Sequence, residues 1–458
     1  MTDDLPQGWV EVPLSRIAAL NMGQSPPSST YNTTGQGLPF FQGKAEFGDL
    51  YPTPEKFCSH PNKIAECGDI LISVRAPVGP TNLCRERSCI GRGLAAIRPH
   101  DGIPSHYVLF YFRSIEPWLT TQGTGSTFTQ ISRADLEEIN VCLAPLDEQR
   151  RIVAKLEKLL AKVGACQQRL AKISVLLKRF RQSVLAAACS SHLTADWREE
   201  NPDAEPYAVE SEVETGGEFP PNWKVTRLGP LTTLVTSGSR GWAKYYADSG
   251  SIFIRAQNIN SDFLNLDDIA FVRPPVSAEG LRTKVRQHDI LITITGANVT
   301  KSALVEELLE DAYVSQHVAL VRLRDARLAK FLFYFVVSPT DGRKQLQAAA
   351  YGQGKPGLNL DNIRDVLVDL PPLAEQQEIV RRVETLFALA DQIEARYAKA
   401  KAYVEKLTQS ILAKAFHGEL VPQDPNDAPA SILLESIRQT KSNDQPKRKT
   451  KHAALVSH

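Results

Sequence analysis

No apolar run in the 458 residues reaches the roughly 18 needed to cross a bilayer. The N-terminal Met1-Thr2-Asp3-Asp4 lacks the basic-then-apolar order of a secretory signal. Cysteine is sparse and one-sided: Cys58, Cys67, Cys84, Cys89, Cys142, Cys166 and Cys189, an odd seven, which excludes a disulfide scaffold. Cys58, His60, Cys67, Cys84 and Cys89 lack the paired Cys-x-x-Cys spacing of structural zinc sites, so free thiols are the simpler reading. Together these absences lead us to expect a cytoplasmic protein with no membrane contact. Neither sign of charge is in excess, since 53 Lys and Arg against 52 Asp and Glu leave a net charge of +1. Nucleic-acid binders usually carry a basic surplus, so any DNA surface here must be local or shared with partners.

Catalytic signatures are missing too. A nucleotide-hydrolysing motor needs Gly-x-x-x-x-Gly-Lys-Ser/Thr, because the hydroxyl ligates magnesium. The nearest approach is Gly352-Gln353-Gly354-Lys355, where Ala349 replaces the first glycine and Pro356 follows the lysine. Amino methyl transfer calls for an Asn/Asp-Pro-Pro-Tyr/Phe loop; Pro371-Pro372 leads into Leu373, and Pro274-Pro275 follows Arg273. The nine histidines are scattered and form no paired metal motif. No active site is legible.

What is present is a repeat. Pro6-Gln7-Gly8-Trp9 resembles Pro220-Pro221-Asn222-Trp223, and Gly68-Asp69-Ile70-Leu71-Ile72-Ser73 matches His288-Asp289-Ile290-Leu291-Ile292-Thr293. Phe110-Tyr111-Phe112 returns as Phe333-Tyr334-Phe335. Pro145-Leu146-Asp147-Glu148-Gln149 returns as Pro372-Leu373-Ala374-Glu375-Gln376. The offset drifts from 223 − 9 = 214 to 372 − 145 = 227 and then stays constant through Ser183 and Ser410. A drifting offset marks loops of unequal length; a constant one marks an uninterrupted element.

That element reads as a long helix in each copy. Ile152, Leu156, Leu159, Val163, Cys166, Leu170, Ile173, Leu177, Phe180 and Val184 alternate in steps of four and three. Ile379, Val383, Leu386, Ala390, Ile393, Tyr397, Ala400, Val404, Leu407 and Ile411 do the same. Two such seams predict antiparallel coiled-coil helices packed on each other. From Asp147 to Leu185 the first would be about 58 Å long. It is also basic, with ten Lys or Arg against Asp147, Glu148 and Glu157, which suits a solvated face, DNA phosphates or an acidic partner. The preceding globular parts read as α/β domains: Ile70–Val74, Ile290–Ile294, Phe40–Phe41 and Ile252–Ile254 as strands. Tyr107–Arg113 and Phe331–Val337 lean towards helix. The fold class is therefore α+β: two α/β domains joined by two long helices, with an internal pseudo-two-fold duplication.

This order of globular domain, Pro-Leu-x-Glu-Gln helix, globular domain, Pro-Leu-x-Glu-Gln helix resembles the specificity subunits of type I restriction-modification enzymes, nearest the type IA-like group. The resemblance runs from Leu5 to about Val421. It is carried by Leu177-Lys178-Arg179-Phe180-Arg181-Gln182-Ser183-Val184-Leu185 with Leu193-Thr194 and Trp197-Arg198, and by Glu378 to Glu384 and Leu407 to Phe416. Cys189-Ser190-Ser191-His192 departs from the family's Phe-x-Gly-x. The resemblance implies a first target recognition domain over 1–144, a central helical region over 145–195 and an acidic linker over 196–218. A second recognition domain would occupy 219–371, a distal helical region 372–421, and a largely disordered extension 422–458. It further implies a non-catalytic chain that reads a bipartite, asymmetric site in double-stranded DNA. Two methyltransferase subunits would use S-adenosylmethionine for N6-adenine methylation. Two restriction-motor subunits would use ATP and Mg for cleavage. The chain itself would hold no cofactor. The rival readings are a duplicated coiled-coil scaffold that binds only proteins and a standalone enzyme with hidden chemistry.

Direct readout of bases needs side chains with paired donors and acceptors. Those near predicted strands are Gln42, Lys44, Arg75 and Arg92 in the first domain, and Arg240, Lys244, Arg255, Gln257 and Asn258 in the second. Two Gly-rich stretches precede the long helices, Gly123 to Thr127 with Thr124 and Ser126, and Gly352 to Lys355 with Gln353 and Lys355. They are either flexible turns or places where backbone amides approach phosphate.

Overall fold

The structure, a computed structural model, describes residues 5–122, 130–214, 220–238, 240–260, 262–274, 278–352, 354 and 356–443. The chain divides into two compact units, residues 1–170 with 399–458, and residues 171–398.

In the first unit eleven strands form three sheets. A ribbon pairs β1 (Val10–Pro13) with β11 (Asn140–Leu143). A four-stranded sheet runs β2 (Ala18–Met22), β10 (Leu94–Pro99), β7 (Ile70–Ser73), β8 (Thr81–Leu83). A five-stranded sheet runs β3 (Tyr31–Asn32), β5 (Lys56–Cys58), β4 (Leu38–Phe41), β9 (Ser88–Ile90), β6 (Ile64–Ala65), with β4 and β9 parallel. The second unit repeats this plan. Its ribbon is β12 (Lys224–Arg227) with β23 (Leu367–Leu370). Its main sheet runs β13 (Thr232–Ser237), β22 (Val318–Leu323), β19 (Ile290–Thr293), β20 (Ser302–Leu304). Its second sheet runs β14 (Tyr246–Ala247), β18 (Ala270–Val272), β15 (Ser251–Ile254), β21 (Ala312–Val314), again with one parallel pair, β15 with β21. A hairpin of β16 (Ile259–Asn260) and β17 (Phe263–Leu264) is added.

The repeated Asp-Ile-Leu-Ile opens β7 and β19, both buried at every position. Buried Asp69 accepts the Glu66 amide at 2.8 Å and two Arg98 nitrogens at 2.7 Å. Asp289 accepts the Arg286 amide at 2.7 Å and Arg322 at 2.9 and 2.7 Å. A carboxylate desolvated at a strand start needs such partners, which explains why the aspartate stands in both copies. The two ambiguous apolar runs are helices, Ser105–Ser114 and Ala329–Val337. In the second, Phe331, Leu332, Phe335 and Val336 recur at helical spacing and are all buried.

The long helices span Leu146–Cys189 and Leu373–Phe416, 44 residues each. In the first unit Ile152 and Leu156, near the start of one, share a core with Leu412, Ala415 and Phe416 at the end of the other. In the second unit Val184, Leu185 and Ala188 pack with Ile379 and Val383. The pairing is thus antiparallel. The seam is narrower than its heptads suggest: Cys166, Phe180, Ile393 and Ala400 are exposed. Val163, Leu177 and Ala390 are nonetheless buried mid-helix, outside the core cluster of either unit.

Two segments correct the sequence reading. Within the extension, which is described to residue 443, Ala430–Asn443 is an ordered helix whose Ala430 and Ile437 enter the first unit's core. Arg151 clamps Asp427 at 2.6 Å and the Ala430 amide donates to Gly8 O at 2.9 Å. The acidic linker, described over 196–214, is held on the second unit as well. It begins in a helix, Ala195–Glu200, and lays Tyr207 and Val209 on the second unit's core. Both segments hold apolar residues at the few points that a domain can cover.

Each long helix begins on a buried hydrogen bond. Trp9 Nε1 donates to Glu148 Oε2 at 3.0 Å, and Trp223 Nε1 to Glu375 Oε2 at 2.9 Å. Gln149 and Gln376 return their amides to the carbonyls of Ala144 and Pro371, both at 2.8 Å. Glu375 also accepts from Thr194 at 2.7 Å and Arg198 at 2.5 Å, whereas Glu148 Oε1 is buried with no hydrogen-bond partner among the described residues. Burial accordingly raises the Glu148 carboxyl above its usual range, against the pull of Trp9 and Arg151. Glu375→Ala, which strands Arg198, is expected to cost about 3 kcal/mol. Glu148→Ala, losing one bond to a neutral donor, should cost about 1–2 kcal/mol. Hydrogen exchange resolved by unit checks this, and equal losses would contradict it.

Candidate nucleic-acid interface

Three loops meet at one end of each domain, held by the same backbone hydrogen bonds. In the first, the Val74 amide donates to Gly93 O at 2.9 Å, Ile131 to Val74 O at 3.0 Å, and Gly91 to Phe41 O at 2.8 Å. In the second, Ile294 donates to His317 O at 2.9 Å, Leu358 to Ile294 O at 2.8 Å, and Ser315 to Ile254 O at 2.8 Å. Isolated bridges join Arg75 to Gln130 and Thr295 to Gly357. The skeleton is shared, and what it presents differs.

In the first domain this brings together Gln42, Arg75 and Arg92, all named from sequence. Arg75 and Arg92 are exposed and Gln42 is half-buried. The Arg92 amide donates to Ser25 Oγ at 3.2 Å, which fixes the backbone and leaves the guanidinium outward. A Cβ at Gly93 would lie 2.2 Å from Gln42 O, so only glycine lets these two loops approach so closely. Lys44 is exposed on a short turn of 3-10 helix, Lys44–Glu46, directly beyond. The Gly-rich stretch with Thr124 and Ser126 lies outside the described residues, but Gln130, which follows it, sits beside Arg75.

In the second domain Arg255 is at the corresponding edge, half-buried and paired with Asp268 at 3.2 Å. Gln257 is exposed and donates to the same carboxylate at 2.7 Å. Asp268 is itself 77% exposed, and an ion pair so open to water is weak enough to exchange for another anion. Arg240 and Lys244 are exposed, the Lys244 ammonium lying 5.0 Å from the Tyr245 ring centroid. Gln353 and Lys355 fall outside the described residues. Asn258 corrects the sequence reading. It is 3% exposed, its amide nitrogen bonds Asn265 O and Asp268 O, and its oxygen accepts the Arg255 amide. With both amide hydrogens used and the side chain buried, Asn258 holds the turn and is not displayed to a base.

Sequence reasoning passed over Thr295, Gln316, His317 and Tyr351, all at this edge. Tyr351 exchanges two backbone bonds with Gly357, both 2.9 Å, and is 61% exposed. The signal was in the drifting offset. His317 answers Gly93 at 317 − 93 = 224, between the 220 of the aspartates and the 227 of the helices. Among the described residues no group of three or more His, Cys, Asp or Glu could hold a metal ion. Nor does any described helix meet the length and apolarity that crossing a membrane needs.

Residues 6–175 and 220–401 match the family model of the type I restriction modification DNA specificity domain, one match per repeat. The chain belongs to the type I restriction-modification specificity subunits. It is 29% identical over 455 residues to the type I restriction enzyme EcoBI specificity subunit of Escherichia coli, covering 94% of this chain and 92% of that one. It is also 29% identical to the EcoKI specificity subunit of Escherichia coli strain K12, covering 95% and 96%. Among solved structures, a chain from a type I R-M system in a study of complex assembly and conformational transition superposes with a TM-score of 0.71. That match has 20% identity and covers 91% of this chain and all of the other. The HsdS subunit from Thermoanaerobacter tengcongensis gives 0.56 at 20% identity, covering 91% and 99%. These structures share the specificity subunit's fold.

The Asn258 correction carries a test. Asn258→Ala should destabilise the second domain by about 1–3 kcal/mol, the cost of orphaning buried groups, and leave DNA base preference untouched. Gln257→Ala should stay within about 0.5 kcal/mol. Thermal melts and binding to degenerate duplexes separate the two, and a changed preference in folded Asn258→Ala would reverse the assignment.

Proposed function

We propose that each recognition domain reads one half of a bipartite DNA site through its three-loop edge, and that the long helices fix the unread spacer between the halves. The observation that carries this is the repeated edge, one hydrogen-bonded skeleton displaying Arg75 and Arg92 in one copy and Thr295 and Gln316 in the other. Equal skeletons with unequal side chains read unequal sequences, so the site is asymmetric. Stiff elements select half-site spacing, and each long helix is continuous for 44 residues. Lys44, Arg240, Lys244, Arg255 and Gln257 contribute phosphate or base contacts beside the edge, and the Gly-rich stretches with Thr124, Ser126, Gln353 and Lys355 approach the backbone.

In this reading the chain is non-catalytic. Two methyltransferase subunits bring S-adenosylmethionine and methylate adenine at N6. Two restriction-motor subunits bring ATP and Mg and cleave. Exposed Val175, Leu176, Phe180, Leu389 and Ile393 on the helices give such partners an apolar surface to cover. The assembly acts in the cytoplasm, where its DNA is.

Long-read mapping of N6-methyladenine in a host expressing this chain with its methyltransferase partner should return a split asymmetric motif. Methylation at unrelated single blocks, or none from an assembled complex, would overturn the reading. Inserting four residues after Ala165 shifts the following helix by about 6 Å and turns it by about 40°. The spacer should change or binding be lost, and an unchanged motif would refute the ruler.

A further inference from the structure

We infer that Gln316 is a base-reading residue for an A·T pair in the second half-site, held in register by His317, and that Arg92 occupies the same place for a G·C pair in the first. This deepens the proposed reading and rests on it. The equivalence is geometric. Gly91-Arg92-Gly93 and Ser315-Gln316-His317 each connect the parallel strand of the second sheet to the central strand of the main one. Each donates its first amide to the neighbouring strand, from Gly91 to Phe41 O and from Ser315 to Ile254 O, both at 2.8 Å. Each accepts at its third residue from the strand end after the buried Ile-Leu-Ile run. Arg92 and Gln316 are the exposed middle residues of these loops.

The side chain of Gln316 is oriented as well as exposed. Its amide nitrogen lies 3.1 Å from His317 Nε2. An amide NH2 only donates, so Nε2 is the acceptor and the ring proton sits on Nδ1, which donates to Thr295 Oγ1 at 2.5 Å. Thr295 is fixed in turn by its bridge to Gly357. One N–H of Gln316 is thereby spent. Its second N–H and Oε1 meet no other partner among the described residues, and they form the paired donor and acceptor that match adenine N7 and N6. Arg92 offers instead the forked donors that match guanine O6 and N7. His317 is a positioning residue: it touches Gln316 and sets which way the amide faces.

The test uses the assembled complex of this chain with its methyltransferase partner, read by methylation mapping and by competition among duplexes that differ at single base pairs. Gln316→Ala should reduce discrimination at one A·T pair of one half-site by roughly ten- to hundredfold, with the other half unchanged. Gln316→Arg should move that pair towards G·C, and Arg92→Gln should do the reverse in the other half. His317→Ala should relax the same pair as Gln316→Ala, and His317→Asn, which keeps an acceptor, should restore it in part. A Gln316→Ala complex that keeps non-specific affinity but loses site preference also supports the inference. An unchanged motif in Gln316→Ala, or a change in the wrong half, overturns it. If wild type itself yields no bipartite motif, the broader reading fails first, and the two failures are told apart.

Discussion

The structure depends on a buried tryptophan donating to a glutamate in the first turn of each long helix. Trp9 and Trp223 each lie just ahead of a ribbon strand, and Glu148 and Glu375 stand three residues after a proline that opens the helix. The bond therefore ties the first strand of a domain to the helix that follows its last strand. A carboxylate at a helix N-terminus also faces the positive end of the helix dipole. With the glutamines closing back on Ala144 and Pro371, the domain has little freedom to swing on its helix. Any measurement of DNA by the helices needs this rigidity, because a loose joint would blur the spacer whatever the helix length.

The two joints are not equal. The Glu375 carboxylate is surrounded by Trp223, Thr194 and Arg198, and Arg198 bonds Ser191 O as well. At the position of Thr194 in the other copy the sequence after the partner helix has Val421, which offers no hydroxyl, and one Glu148 oxygen has no hydrogen-bond partner among the described residues. The first unit instead spans the gap from outside with Arg151 and Asp427 and covers it with the Ala430–Asn443 helix. The acidic stretch after the first helix and the terminal segment after the second thus do the same work in their own units. Each locks the end of one long helix beside the start of the other.

Much of this was legible in sequence because the repeat spoke twice. The aspartates before Ile-Leu-Ile, the ribbon tryptophans and the Pro-Leu-x-Glu-Gln starts all became identifiable contacts. The seam is present but uneven, since heptad spacing reports which residues share a face and not whether a partner covers it; Phe180 and Ile393 are where that difference shows. Residues 430–443 were missed because a short amphipathic run among charges gains its stability from the core it meets, which no local pattern reveals. Asn258 was misjudged for a similar reason. An Asn in a loop is equally suited to meet a base or to cap its own turn, and only burial decides.

A DNA reader with a net charge of +1 gains little from counterion release over the whole molecule. Within the second domain, Arg255, Arg322 and Arg343 are each matched by a carboxylate, Asp268, Asp289 and Asp262. Arg322 and Arg343 are largely buried in their pairs and hold the fold, so neither is free to grip phosphate; base contacts specify, while phosphate contacts mainly hold. A subunit that only has to choose can leave the gripping to the proteins it assembles with. On that view the modest charge, which at first reads as an argument against DNA binding, is what a specificity subunit requires.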